Sequence, residues 1–138
     1  MVERVFPATL DQLEPVQAFV AEQLEQYDCP MKVQFQLDVA VEEIFVNIAH
    51  YAYPEHNGQA TVRCCVGGDR LQVTIQFLDN GQPFNPLNKP DADITLSAEE
   101  RAIGGLGILM VKKSMDAVDY AYEDGKNILT IKKNIQLG

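Results

Sequence analysis

Apolar residues recur at helical spacing in two stretches of the first half of the chain. In residues 10–27 they are spaced by three and four, and residues 32–53 carry the most regular pattern of the sequence. The stripe of this second stretch comprises Leu37, Val41, Ile44, Ile48 and Ala52, widened by Ala40, Phe45 and Ala49. Both patterns predict helices that pack one face on a core. We expect Pro54 to end the second helix.

Short β-rich runs make up most of the remaining regular pattern. Strands are predicted at residues 4–9, 60–66, 70–78, 117–123 and 127–134. Glycine-containing turns separate the second run from the third and the fourth from the fifth, so each of these pairs is expected to form a hairpin. A third helix is expected at residues 106–115. The sequence therefore predicts an α+β fold, a two-layer sandwich of one mostly antiparallel mixed sheet with helices on one face.

The length and composition of the chain predict one globular domain. Its 138 residues are enough to bury one core, and 46% hydrophobic with 22% charged residues is typical of globular proteins. We therefore interpret residues 1–138 as a single domain, in which one site or one binding face carries the function.

The charge of the chain disfavours two classes of ligand. The formal net charge is −9, and the 11 basic residues are scattered along the sequence. Direct binding to nucleic acid or to an anionic membrane surface needs clustered Lys and Arg. No apolar run approaches the roughly 18 residues of a membrane span, and the first residues lack the layout of a signal peptide. We expect a cytoplasmic protein.

The cysteines and histidines do not predict a metal or disulfide site. Cys29, Cys64 and Cys65 are an odd number, at spacings that suit neither a disulfide framework nor a zinc site. His50 and His56 add no known ligand spacing. Free thiols in a reducing compartment are the expected state.

Glu43 and Asn47 are the first candidates for chemistry. They are four residues apart on the second helix, so their side chains project from one face. A carboxylate can accept a proton or align a nucleophile, and an amide oxygen can coordinate Mg²⁺. The alternative is an ordinary polar edge of an amphipathic helix.

Two further motifs follow along the chain. The segment Asp79-Asn80-Gly81-Gln82-Pro83-Phe84 is typical of a turn, but Asp79 at a strand end could also accept a hydrogen bond from an exocyclic amino group. Gly104-Gly105-Leu106-Gly107 opens the third helix, where backbone N–H groups could approach phosphate. Its alternative is a glycine-rich helix start. The long polar segment at 79–103 includes the first motif and ends directly before the second, and such loops are usually functional lids or disordered.

The order of these three motifs resembles the three nucleotide-binding boxes of the GHKL ATPase superfamily. The chain is similar over nearly its whole length to the stand-alone anti-sigma-factor serine kinases of bacteria. The similarity is most marked in Val-Glu-Glu-Ile-Phe-Val-Asn-Ile-Ala at 41–49 and Arg-Ala-Ile-Gly-Gly-Leu-Gly-Ile at 101–108, and it includes residues 125–131.

The resemblance implies a role for each motif residue. Glu43 would be the general base, Asn47 would bind Mg²⁺, Asp79 would accept a hydrogen bond from the adenine amino group, and Gly81 would leave room for the ring. Further residues expected at the nucleotide are Arg101, Gly104, Gly105, Leu106, Gly107 and Thr130, the last through a water-mediated adenine contact. Residues 85–103 would form the ATP lid.

The resemblance also implies a function. The chain would be an ATP- and Mg²⁺-dependent serine/threonine protein kinase that phosphorylates a small antagonist protein in a partner-switching pathway. It would act as a homodimer, with a sigma factor or another regulator as a further partner. One alternative is a nucleotide-responsive protein-binding module without useful phosphoryl transfer. A detached histidine-kinase catalytic domain is the other, disfavoured because no phosphoacceptor helix accompanies it.

Overall fold

A computed structural model describes residues 1–53, 58–68, 71–88 and 105–135 of the chain. Its strands are β1 (Val2–Pro7), β2 (Gln59–Gly67), β3 (Gln72–Asp79), β4 (Ala117–Glu123) and β5 (Lys126–Asn134). Its α-helices are α1 (Leu13–Leu24), α2 (Met31–Tyr51) and α3 (Gly105–Ser114), and short 3₁₀ turns occur at Leu10–Gln12, Glu25–Tyr27 and Pro86–Asn88. Every predicted helix and strand is present, with boundaries shifted by a few residues.

The predicted helix at 10–27 is the element that differs most from expectation. It divides into α1 and the two 3₁₀ turns that flank it. The second of these turns is followed by Asp28, whose φ of 50° lies in the left-handed region. A left-handed residue ends helical hydrogen bonding, and Pro30 two residues later prevents its continuation. α2 then starts directly after Pro30.

The sheet confirms the predicted α+β sandwich and corrects one detail of it. The strand order is β1-β2-β3-β5-β4, and all pairings among the described residues are antiparallel. β3 and β4 are both antiparallel to β5, so they run parallel to each other. However, β5 lies between these two strands, so the described ranges contain no parallel pairing of the kind that a mixed sheet would have.

One face of the sheet packs against the helices. Strand register aligns Val62, Phe77 and Leu129 in one row across three strands, and all three are buried in the core with residues of α1 and α2. Because side chains alternate between faces, the residues two positions along on each strand share this face. The neighbouring row, at the end of β3, is Ala60, Asp79 and Asn127. Two polar side chains therefore lie on the core face of the sheet.

The cysteines are free thiols in the structure. Cys64 lies on the core face of β2, and burial raises the pKa of its thiol to about 12. It will therefore stay protonated and unreactive near neutral pH. None of the helices in the described ranges is long and apolar enough to cross a membrane.

Candidate functional site

A pocket lies between the C-terminal half of α2 and the core face of the sheet. Its walls are mainly apolar and consist of Ile44, Ile48, Ala52, Phe77, Phe84, Pro86, Tyr120 and Leu129. The buried polar side chains of the described residues are Asn47, Asp79 and Asn127, and all three border this pocket. Burying a polar group is costly unless it is bonded. Their common location in an apolar pocket identifies it as the candidate binding site.

Asp79 is the last residue of β3 and is only 6% exposed. Its Oδ1 accepts hydrogen bonds from the Gly81 backbone N–H and from Asn127 Nδ2, both at 2.9 Å. Burial raises the pKa of the Asp79 carboxyl, and these two bonds oppose the increase. Within the described part of the chain, no donor reaches the second oxygen, Oδ2. This oxygen can therefore accept a hydrogen bond from a ligand.

Asn127 is the site residue that the sequence motifs did not identify. Its Nδ2 donates to Asp79 Oδ1 at 2.9 Å and to the Gln82 carbonyl at 2.8 Å. Its Oδ1 accepts from the Phe84 N–H at 3.1 Å and from the Tyr120 hydroxyl. An amide offers two donors and two acceptor lone pairs, so these four bonds satisfy it completely. The residue holds Asp79, the segment after β3 and strand β4 together.

Thr130, expected at the adenine contact, is not brought to the pocket. It faces Gln76 across the β3–β5 pairing, and Gln76 Nε2 donates to its Oγ1 at 3.3 Å. Asn127 and Thr130 are three positions apart on one strand, so their side chains point to opposite faces of the sheet. The alternation of Asn127 with the core residues Leu129 and Ile131 is the sequence signal for this face.

Gly81 approaches the end of α2 closely. The Gln82 N–H donates to the Ala52 carbonyl at 2.8 Å. A Cβ added at Gly81 would lie 2.2 Å from that carbonyl oxygen and 2.6 Å from the Ala52 Cβ. Close contact with the backbone that follows α2 is sufficient to require glycine here. The room for an adenine ring that the resemblance implies at Gly81 stays a prediction.

Replacing Gly81 with alanine is expected to lower the free energy of unfolding by about 2 kcal/mol, because backbone atoms must shift to admit the methyl group. Gly67→Ala is the matched control, since nothing lies within 4 Å of a Cβ there, and its expected change is under about 0.5 kcal/mol. Urea unfolding of both variants measures the difference. Equal stabilities would contradict the close approach.

Glu43 and Asn47 lie one turn apart on α2, as predicted. Asn47 is 3% exposed, and its Nδ2 donates to the Glu43 carbonyl at 2.7 Å. This bond orients the amide, so that Oδ1 is the atom suited to a cation. Glu43 is half-buried and is not among the residues that line the pocket.

Aromatic residues hold the segment after β3 against α2. The Tyr51 ring stacks on Phe84 with 5.2 Å between centroids. Tyr53 Oη accepts from the Asn80 N–H at 3.0 Å, and Gln82 Nε2 donates to the Tyr51 carbonyl at 2.7 Å. These contacts fix the wall of the pocket that contains Phe84. His50, on the same helix, is exposed.

The third motif is described only in part. α3 begins at Gly105, as the glycine-rich helix start predicted, and its first turn includes Leu106 and Gly107. Arg101, Gly104 and residues 89–103 of the expected lid lie outside the described residues. No group of three or more His, Cys, Asp or Glu suited to a metal occurs in the described ranges.

Comparison with known families decides what kind of domain this pocket belongs to. The family model described as histidine kinase-like ATPase domain matches residues 6–133. The chain belongs to this family. Nearly all the secondary structure described above, including all three helices, lies within the matched residues. The pocket is thus part of a histidine kinase-like ATPase domain.

Individual relatives of this ATPase domain are protein kinases by name. The serine-protein kinase RsbW of Listeria monocytogenes is 31% identical over 70% of the chain and 63% of its own length. The serine/threonine-protein kinase BtrW of Bordetella bronchiseptica is 27% identical over 72% of the chain and 70% of its own length. The chain therefore spans less than two thirds of the Listeria relative.

A solved structure shares the fold. The RsbU and RsbW domains of Rv1364c from Mycobacterium tuberculosis match all of this chain and 34% of that one, with a TM-score of 0.66 and 13% identity. At this identity the likeness supports the architecture of the ATPase domain.

Proposed function

We propose that this chain binds ATP with Mg²⁺ and transfers the γ-phosphate to a serine or threonine of a small antagonist protein. The observation that carries the proposal is the buried carboxylate of Asp79 at an apolar pocket, whose Oδ1 is held by the protein while Oδ2 accepts no hydrogen bond from the described residues. The family match and the kinase names of the relatives support the same activity.

The residues that line the pocket suit an adenine ring in their chemistry. A purine presents two apolar faces and a polar edge, and the pocket has apolar walls with a buried acceptor at one end. Asp79 Oδ2 would accept a hydrogen bond from the exocyclic amino group of adenine. Phe77 and Leu129 on the sheet, with Ile44 and Ile48 on α2, would enclose the ring.

The phosphates would extend toward Asn47 and the start of α3. Asn47 Oδ1 would hold Mg²⁺, which supplies positive charge beside the phosphate oxygens when it is bound. The N–H groups of Gly105, Leu106 and Gly107 lie in the first turn of α3, where a helix favours anions. Gly104 and Arg101 would complete the phosphate site, and residues 85–103 would form the lid.

Glu43 would act as the general base. A serine hydroxyl oxygen would form a bond to the γ-phosphorus as the bond from that phosphorus to the bridging oxygen breaks, releasing ADP. Glu43 would accept the hydroxyl proton. Its place one turn before Asn47 puts the base and the proposed Mg²⁺ ligand on one helix face.

The partners follow from the same assignment. A small antagonist protein would be the phosphorylated substrate, and a sigma factor or another regulator would bind in alternation with it. The chain would act in the cytoplasm as a homodimer. Its net charge of −9 makes nucleic acid an unsuitable direct ligand.

A coupled assay tests the proposal. The purified chain is incubated with Mg-ATP and purified small antagonist proteins, and ADP and phosphoserine or phosphothreonine are both quantified. The proposal predicts equal amounts of ADP and phosphorylated antagonist. Binding of ATP without turnover in the presence of an antagonist that forms a complex with the chain would instead favour a nucleotide-responsive binding module. Failure to bind ATP would overturn both.

A further inference from the structure

Asn127 is a polar residue that has no bonding capacity left for a ligand. Both of its N–H donors and both acceptor positions of its Oδ1 are used within the protein, and the side chain is only 5% exposed. It borders the pocket nevertheless. Any influence it has on a bound molecule must therefore act through the groups that it holds.

The first of these groups is the Asp79 carboxylate. The backbone N–H of Gly81 and the Nδ2 of Asn127 donate to the same oxygen, Oδ1. These two bonds restrain the rotation of the carboxylate, and the described residues leave its Oδ2 without a donor. That oxygen is an acceptor without a neighbouring donor in the described part of the chain. It favours a ligand edge that donates and disfavours one that accepts.

The second group is the segment that follows β3. Asn127 accepts from the Phe84 N–H and donates to the Gln82 carbonyl, and the Phe84 ring borders the pocket. One side chain therefore sets both the hydrogen-bonding edge and one wall of the space beside it. Asn127 thus orients the Asp79 carboxylate and also positions Phe84, against which a flat ligand ring would lie.

We propose that Asn127 is a positioning residue that makes the pocket select a purine with an amino group at carbon 6 over one with a carbonyl there. The inference rests on the proposed function, since it assumes that a purine nucleotide occupies the pocket. A carbonyl at carbon 6 would place its oxygen against Asp79 Oδ2. Without Asn127, Asp79 could rotate, and the two purines would be distinguished poorly.

Calorimetric titration with ATP and with inosine triphosphate tests the proposal. The two nucleotides differ at carbon 6, which carries an amino group in the first and a carbonyl in the second. The parent chain should bind ATP more tightly by about tenfold or more, because a hydrogen bond to a charged group is at stake. In Asn127→Leu this ratio should fall to about threefold or less. A general loosening of the fold would weaken the binding of both nucleotides alike and leave the ratio of their affinities unchanged.

Two further variants sharpen the comparison. Thr130→Val lies on the opposite face of the same strand and removes the bond from Gln76, so it should keep the parent's ratio. Asn127→Asp preserves the size of the side chain but loses both donors and faces Asp79 with a like charge. Its preference for ATP over inosine triphosphate should fall as in Asn127→Leu. This variant tests the role of Asn127 if the leucine variant fails to fold.

The outcomes separate this inference from the proposed function. A parent chain that binds neither nucleotide contradicts the proposed function itself. A parent that binds both equally, or a folded Asn127 variant that retains the parent's preference, overturns the role of Asn127 while leaving ATP binding intact.

Discussion

Replacing Asp79 with asparagine is expected to weaken ATP binding by about 10- to 100-fold. The amide keeps the size of the carboxyl group but removes the charge of the acceptor, and hydrogen bonds to charged groups contribute about 1.5–3 kcal/mol. It also brings an NH₂ group next to donors of Gly81 and Asn127, or toward the ligand. Isothermal calorimetry with Mg-ATP measures the loss.

Asp119→Asn is the matched control for this substitution. Asp119 is exposed on β4 opposite Thr130, so the same chemical change there should leave ATP affinity within about twofold. Undiminished affinity in Asp79→Asn would show that the pocket is not the adenine site.

The Asp79→Asn substitution should not unfold the protein. Burial raises the pKa of the Asp79 carboxyl above its ordinary value of 3.8. A carboxyl with a raised folded-state pKa contributes its stability below pH 3.8 and loses it as the pH rises through the folded-state value. The free energy of unfolding of Asp79→Asn, relative to that of the parent, should therefore increase as the pH rises toward neutrality. Urea unfolding of both proteins across this range measures the trend and excludes misfolding as the cause of lost binding.

Replacing Glu43 with glutamine is expected to lower the rate of phosphoryl transfer by about 10²- to 10⁴-fold while ATP still binds. The amide cannot accept the hydroxyl proton, and a positioned general base contributes a rate factor of this order. Glu43 is not among the residues that line the adenine pocket, so nucleotide affinity should change by less than about threefold. Phosphoprotein formation and calorimetry measure the two effects separately.

Glu42→Gln controls for the loss of one negative charge on the same helix. Glu42 is exposed and adjacent in sequence, and a helix directs neighbouring residues to different faces. Its variant should transfer phosphate at the parent's rate. Phosphoryl transfer at the parent's rate in Glu43→Gln, as in Glu42→Gln, would exclude Glu43 as the base.

The helices and hairpins could be predicted because their signals are local. The stripe that includes Leu37 and Ile44 defines α2 without any knowledge of what packs against it. Likewise, Asp124 and Gly125 both adopt positive φ, 53° and 75°, as a tight hairpin turn requires. Such patterns are set by a few neighbouring residues, which is why they are visible in one sequence.

Features that depend on distant contacts were harder to predict. The insertion of β5 between β3 and β4 makes the sheet antiparallel, and no local pattern specifies it. The reason for glycine at position 81 is the carbonyl of Ala52, which belongs to another element. The role of a residue that contacts another element becomes evident only from the packed structure.

Asn127 lies between these two cases. Which of Asn127 and Thr130 faces the pocket depends on the face of the sheet to which each side chain points. The alternation of Asn127 with the buried residues Leu129 and Ile131 indicates that Asn127 is on the core face. The family resemblance instead points to Thr130, whose side chain lies on the opposite face of the sheet. The pairing of Asn127 with Asp79, however, depends on strand register and becomes evident only in the folded chain.

A crystal structure with Mg²⁺ and a non-hydrolysable ATP analogue tests the central claim most directly. We predict that the adenine amino nitrogen lies about 3 Å from Asp79 Oδ2, a normal hydrogen-bond distance, with Mg²⁺ bound by Asn47. Asn127 should keep its bond to Asp79 Oδ1. A nucleotide bound elsewhere, or an adenine in this pocket that makes no contact with Asp79, would contradict the account.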